Sequence, residues 1–185
     1  MIKLAHGIRA AQGGRNTMGA LRDELRERGR DAGIVSYGYV LVPITNKQAV
    51  NAVLDGVVDG DTVYAYSNGA WAAVQAAELG LAVRHLILIN PALHKAREFP
   101  GHIERIDVFY SPGDGAVQKG KWWRWTTRIL PWRWRNPHGW GEMGRTGYTG
   151  NDPRVRNHEM PEGVGHYWYE DEDCVRQAAD AVERD

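Results

Sequence analysis

Ser67 stands in the run Tyr64-Ala65-Tyr66-Ser67-Asn68-Gly69-Ala70, with a small residue two places to either side. A serine hydroxyl becomes a nucleophile when it is held on a tight, accessible bend and a neighbouring base takes its proton. Small flanking residues are what such a bend needs, because the chains on either side approach closely. The segment before Ser67, Asp61 to Tyr66, reads as a buried strand. The segment after it, Ala70 to Leu79, reads as an alanine-rich helix closed by Gly80.

Two further segments carry groups that could serve such a serine. Asp114 lies in Tyr110-Ser111-Pro112-Gly113-Asp114-Gly115, a turn directly after an apolar strand, which would set its carboxylate at the C-terminal edge of a sheet. On residue type alone, an aspartate between glycines is equally expected as a plain turn residue. His166 lies in Pro161-Glu162-Gly163-Val164-Gly165-His166, a glycine-bearing loop before the last helix. The other histidines are less well placed. His85 opens a strand, His94 and His102 flank the Ala92 to Gly101 connection, and His138 lies in a tryptophan-rich stretch. His158 is the rival base, eight residues before His166 near the end of a strand, where an imidazole is less free to reach the bend.

These groups must be positioned by a βαβ rhythm. Strand-like runs at Ile2 to Ala5, Ala32 to Ser36, Asp61 to Tyr66, Val83 to Ile89, Arg105 to Tyr110 and Arg154 to His158 enclose helical segments at Thr17 to Arg28, about Lys47 to Leu54, Ala70 to Leu79 and Asp171 to Glu183. Near-continuous apolar strands suit a parallel sheet covered on both faces. The expected fold is α/β, a three-layer α/β/α sandwich on a mostly parallel, roughly six-stranded sheet. At 185 residues the chain is read as one domain, 1–185, in which 115–150 is an insertion.

The elbow-like serine, its strand-to-helix setting and the order Ser67, Asp114, His166 resemble the α/β-hydrolase superfamily, and in particular its small esterase and lipase-like members. The usual residue two before the serine is Gly; this chain has Ala65. The resemblance implies that Ser67 attacks, His166 carries the proton and Asp114 orients the imidazole. It further implies an oxyanion hole from the backbone amides of Asn68 and Ile8, since Leu4-Ala5-His6-Gly7-Ile8 is similar to the superfamily's His-Gly turn after an early strand. His6 is then expected beside the substrate. A carboxylic ester would be cleaved through an acyl-enzyme, with no cofactor and no metal required.

The insertion is the compositional outlier. Six of the eight tryptophans fall between Trp122 and Trp140, among Lys119, Lys121, Arg124, Arg128, Arg133 and Arg135, and no acidic residue precedes Glu142. One reading is a lid in which Trp122, Trp123 and Trp125 cover an apolar acyl chain and Arg meets an anionic or membrane surface. The second is a binding module: a catalytically weak hydrolase-like protein that takes glycan or nucleic acid on its indoles and cations. The third is a packed subdomain with snorkelling arginines. The lid is favoured because a hydrolase site needs a covering segment. The following Trp140 to Gly150 has too many glycines for a stable helix and is expected as a loop.

Charge excludes little and redirects attention to that patch: Lys plus Arg and Asp plus Glu number 23 each, so no global field draws a nucleic acid. The single Cys174 cannot form an internal disulfide. With no basic-then-apolar leader and no apolar run of membrane-spanning length, a cytoplasmic protein acting on a small-molecule or lipid-like ester is expected.

Overall fold

The computed structural model describes residues 1–7, 10–37, 47–116 and 141–183. Six strands form one sheet: β1 (Ile2–Ala5), β2 (Ala32–Val35), β3 (Thr62–Tyr66), β4 (His85–Ile89), β5 (Arg105–Tyr110) and β6 (Val155–Glu159). Their order is β2-β1-β3-β4-β5-β6, and every neighbouring pair is parallel. The helices are α1 (Arg15–Glu27), α2 (Lys47–Gly56), α3 (Asn68–Glu78), the single turn α4 (Met143–Thr146) and α5 (Glu172–Ala179). The expected three-layer α/β architecture is what forms, with an all-parallel sheet.

Strand side chains alternate between faces. On one face Val63, Ala65, Leu86, Leu88, Ile106 and Val108 pack with Ala49, Val50 and Val53 of α2 and with the alanines of α3. On the other, Leu4, Tyr64, Tyr66, Ile87, Ile89 and Phe109 pack with Met18, Leu21 and Leu25 of α1 and with Cys174, Val175 and Ala178 of α5. Burial of each such Leu, Ile or Val is worth about 1.5–3 kcal/mol. Alanine dominates α3 because it lies flush on the sheet: Ala70, Ala72, Ala73, Ala76 and Ala77 are fully buried. On the opposite layer Arg28 ties α1 to the residues after α5, with Asp180 at 2.6 Å.

The segment expected as a loop holds one helical turn, α4. Gly144 explains how. A Cβ built on it would stand 2.5 Å from the carbonyl carbon of Asn90, so the turn rests directly on the chain leaving β4. The glycine that argues against a helix on propensity is required here by close approach.

Candidate active site

The site lies at the carboxyl ends of β3, β4 and β5, where an open α/β sheet presents its loops. Ser67 follows β3 and precedes the first residue of α3, with φ 53° and ψ −118°. A positive φ at a non-glycine residue is strained and survives only where surrounding contacts fix it. Here they do: Ser67 N donates to Ile89 O at 3.0 Å, and Ser67 O accepts from Ala70 N at 3.2 Å and Ala92 N at 3.1 Å.

Close packing beneath the bend explains the small flanking residues. A Cβ on Gly69 would meet Ala5 O and His6 O at 2.5 Å, and one on Gly7 would meet Ser67 Cβ at 3.1 Å. Residue 69 must lack a side chain for the end of β1 and the start of α3 to touch, and at residue 7 the fit against Ser67 is tight. Asn68 begins α3, so its N–H has no carbonyl one turn back to bond. Ile8 lies outside the described residues, as do Trp122, Trp123, Trp125 and His138.

Asp114 is fully buried. Its Oδ2 accepts from His166 Nδ1 at 2.8 Å, and its Oδ1 accepts from Ala116 N at 3.0 Å. A carboxylate only accepts, so Nδ1 carries the hydrogen and Nε2 is left with the lone pair. The His166 segment is fastened to the strand ends: Tyr66 Oη donates to His166 O at 2.9 Å and Asn90 Nδ2 donates to Gly165 O at 3.1 Å. The Tyr66 ring lies 5.1 Å, centroid to centroid, from the imidazole. Among the described residues no hydrogen bond joins Ser67 Oγ to that ring; contacts of this kind commonly tighten only when substrate binds.

The rival base is engaged elsewhere. His158 Nε2 donates to Asp107 Oδ1 at 2.5 Å, and its ring stacks on Phe109 at 4.6 Å. Asp107, fully buried, also accepts from His85 Nε2 at 2.6 Å and Arg105 Nε at 2.8 Å. Burial by itself would raise its carboxyl, but the bonds from His158 and His85 and the charges of His85 and Arg105 prevail and hold it well below the usual carboxylate range. This cluster spans β4, β5 and β6 on the face that carries α1 and α5.

His6, expected beside substrate, is fully buried. Its ring stacks on Tyr37 at 3.8 Å, Tyr37 Oη donates to His6 O, and His6 Nδ1 donates to Gly7 O at 2.9 Å. Burial pushes the imidazole below its ordinary value, partly opposed by the Gly7 bond. His94 Nδ1 accepts from Ala96 N two residues on, and His102 Nε2 donates to Leu81 O. Among the described residues no group of three or more His, Cys, Asp or Glu side chains is arranged to hold a metal ion.

Sequence reasoning missed Tyr66 and Asn90. Asn90 has φ 42° and sits just before Pro91, and asparagine tolerates the left-handed region better than most residues. An Asn-Pro pair ending an apolar strand was the available signal.

The chain has the α/β-hydrolase fold. Solved structures similar to it include a Xanthomonas campestris α/β serine hydrolase described as lacking a lid, at 17% identity and TM-score 0.64, with 99% of this chain and 80% of that one covered. Mouse α/β-hydrolase domain-containing protein 10 is similar at 14% identity and TM-score 0.62, covering 99% and 88%. An esterase from Exiguobacterium antarcticum is similar at 11% identity and TM-score 0.57, covering 99% and 90%. No family model matches the sequence, and a search of curated proteins gives no match. No helix among the described residues is long and apolar enough to cross a membrane.

Proposed function

We propose that this protein is a serine hydrolase that cleaves a carboxylic ester through a covalent acyl-enzyme. The observation that carries the reading is the buried Asp114 bonded to His166 Nδ1 at 2.8 Å, on a loop fastened to Tyr66, the residue before the strained Ser67. The similarity of the fold to hydrolases, one of them an esterase, agrees with it.

In this reading His166 Nε2 takes the Ser67 proton as Oγ attacks the ester carbonyl. The new C–O bond places negative charge on the former carbonyl oxygen, which the Asn68 amide meets, with Ile8 as its proposed partner. Collapse breaks the bond to the alkoxy group, which leaves with the proton held by His166. Water then repeats the cycle: the imidazole takes its proton, the hydroxyl attacks the acyl carbon, and Ser67 regains its hydrogen as the acid departs. Asp114 stabilises the imidazolium at each stage. The substrate is a small-molecule or lipid-like ester, and the steps use only side chains and amides of this chain and water.

The test combines p-nitrophenyl ester hydrolysis with labelling by a fluorophosphonate, which reacts only with an activated serine. Ser67→Ala and His166→Ala are each expected to abolish turnover and labelling while leaving the unfolding curve intact. Turnover retained by Ser67→Ala, or a chain that the probe never labels, overturns the proposal.

A further inference from the structure

We infer that Tyr66 and Asn90 are positioning residues that set the backbone of His166 from the ends of two adjacent strands. This rests on His166 being the base. Tyr66 ends β3 and directly precedes Ser67; Asn90 directly follows β4. Their side chains donate to two consecutive carbonyls, Asn90 Nδ2 to Gly165 O at 3.1 Å and Tyr66 Oη to His166 O at 2.9 Å.

Those carbonyls belong to the two peptide planes on either side of the His166 α-carbon. Each plane is rigid and turns as a unit about one soft dihedral. Holding both carbonyls fixes φ and ψ of His166 together, and hence the direction in which its side chain leaves the backbone. Asp114 then fixes the ring. The two donors matter because Gly163 (φ 89°) and Gly165 precede the histidine and glycine accepts many conformations, while the other local bond, from Val164 N to Pro161 O at 3.2 Å, ends before Gly165.

Asn90 is conspicuous for what it gives up. It is fully buried, has φ 42°, and leaves its Oδ1 unpartnered among the described residues. A residue kept only to fill space would need neither the left-handed backbone nor an unpaired oxygen. Its bond to Gly165 is the contact that a glycine or an aliphatic residue there could not make. Gly144 backs it with a contact that admits no Cβ, 2.5 Å from the Asn90 carbonyl carbon, so the Asn90 backbone is braced from behind. Tyr66 is suited to a permanent donor role: burial, foremost, with the nearby Tyr169, Asp114, Tyr167 and Glu170 groups adding to it, raises its phenol far above the ordinary range, so the hydroxyl keeps its proton. The nucleophile's strand and its neighbour thus also carry the base.

The experiment is steady-state hydrolysis of p-nitrophenyl butyrate by the full chain and by Tyr66→Phe, Asn90→Gly, the double variant, His166→Ala, and Tyr110→Phe as a control whose phenol bonds Glu159 instead. Phe keeps the ring, and Gly accepts the positive φ, so each variant removes the donor with least other damage. Each single variant is expected to lose about tenfold in kcat, the equivalent of one neutral hydrogen bond, with KM changed by less than about twofold. The double variant should lose about a hundredfold, as for a catalytic group misplaced by about an ångström. Tyr110→Phe should match the parent protein. If both single variants keep kcat within about twofold while His166→Ala is inactive, the clamp is idle and the inference falls while the base assignment stands. A rise in KM at unchanged kcat would make them substrate-binding residues and equally overturn it. Turnover by His166→Ala overturns the base and the clamp together.

Discussion

Gly69→Ala should damage both stability and turnover, although alanine is the better helix former by about 1 kcal/mol. A Cβ at residue 69 would stand 2.5 Å from the carbonyl oxygens of Ala5 and His6 and 2.9 Å from the Ala5 carbonyl carbon. All three are main-chain atoms at the end of β1, so no rotamer change relieves the clash. Either α3 or the end of β1 must retreat by about half an ångström merely to restore 3.0 Å, which is still tight. Overpacking of this kind costs about 1–3 kcal/mol, outweighing the propensity gain. The retreat also moves His6 and Gly7 relative to Ser67, whose Cβ already lies 3.1 Å from where a Gly7 Cβ would be. With about a hundredfold lost per ångström of misplacement, half an ångström should lower kcat about tenfold. Urea unfolding and p-nitrophenyl ester kinetics measure the two effects. Gly19→Ala is the matched control: it lies inside α1 with no atom within 4 Å of the new carbon, and should gain about 0.5–1 kcal/mol without touching activity. If Gly69→Ala keeps both the stability and the kcat of the parent, the contact between the start of α3 and β1 is looser than described and the explanation for glycine there fails.

Asp107→Ala strands the N–H donors of His85, His158 and Arg105 around a buried void and should cost about 3–5 kcal/mol in urea unfolding; a loss below about 1 kcal/mol would show the cluster to be idle. The same carboxyl is held lower in the folded chain than its ordinary 3.8, so its stabilising contribution is complete above that value and drains away as pH falls toward the folded-state value. Acid titration of unfolding should therefore steepen below about pH 4 in the parent and flatten in Asp107→Asn; equal slopes would contradict this. On the lid reading, replacing Trp122, Trp123 and Trp125 with Ala should weaken hydrolysis of long acyl esters more than of acetates, since each indole would then contribute apolar burial worth about 25 cal/mol per Å² that only a long chain uses. An unchanged chain-length profile, together with loss of a salt-sensitive association with nucleic acid or an anionic glycan, would favour the binding-module reading instead.

The six strands were legible to within a residue or two, five of them because each is rich in apolar residues and bounded by turn residues, and β5 matches its expected limits, Arg105–Tyr110; β6, Val155–Glu159, is polar and is displaced by one residue from the expected Arg154 to His158. Helix ends were legible through Gly29 and Gly80, both at positive φ. The strain at Ser67 was implied by the small residues Ala65 and Gly69. The site's remaining parts depend on contacts that no local pattern records. The Tyr66 and Asn90 bonds join residues 100 and 75 positions apart. His6 is expected beside the substrate, and only its stacking on Tyr37 shows that its ring is also enclosed. Asp107 carries a signal of its own: an aspartate in a largely apolar strand must find partners, and here they are Arg105, the strand-opening His85 and the rival base His158.

The Asp107 cluster also bears on how the chain chooses its register. β6 lies at the edge of the sheet, and no residue along it is fully enclosed; Arg156, Asn157 and Glu159 are exposed. Apolar burial therefore specifies its alignment weakly. His158, opposite Phe109 and bonded to Asp107, supplies the missing landmark. A one-residue slip would turn it to the wrong face, and a slip of two would carry the strand about 6.6 Å along β5. Only the short stretch from Met160 to Gly165 separates β6 from His166, so such a slip would pull that imidazole off Asp114. An ion cluster remote from Ser67 thus acts as a ruler, measuring out the chain so that its proposed base arrives at the right place.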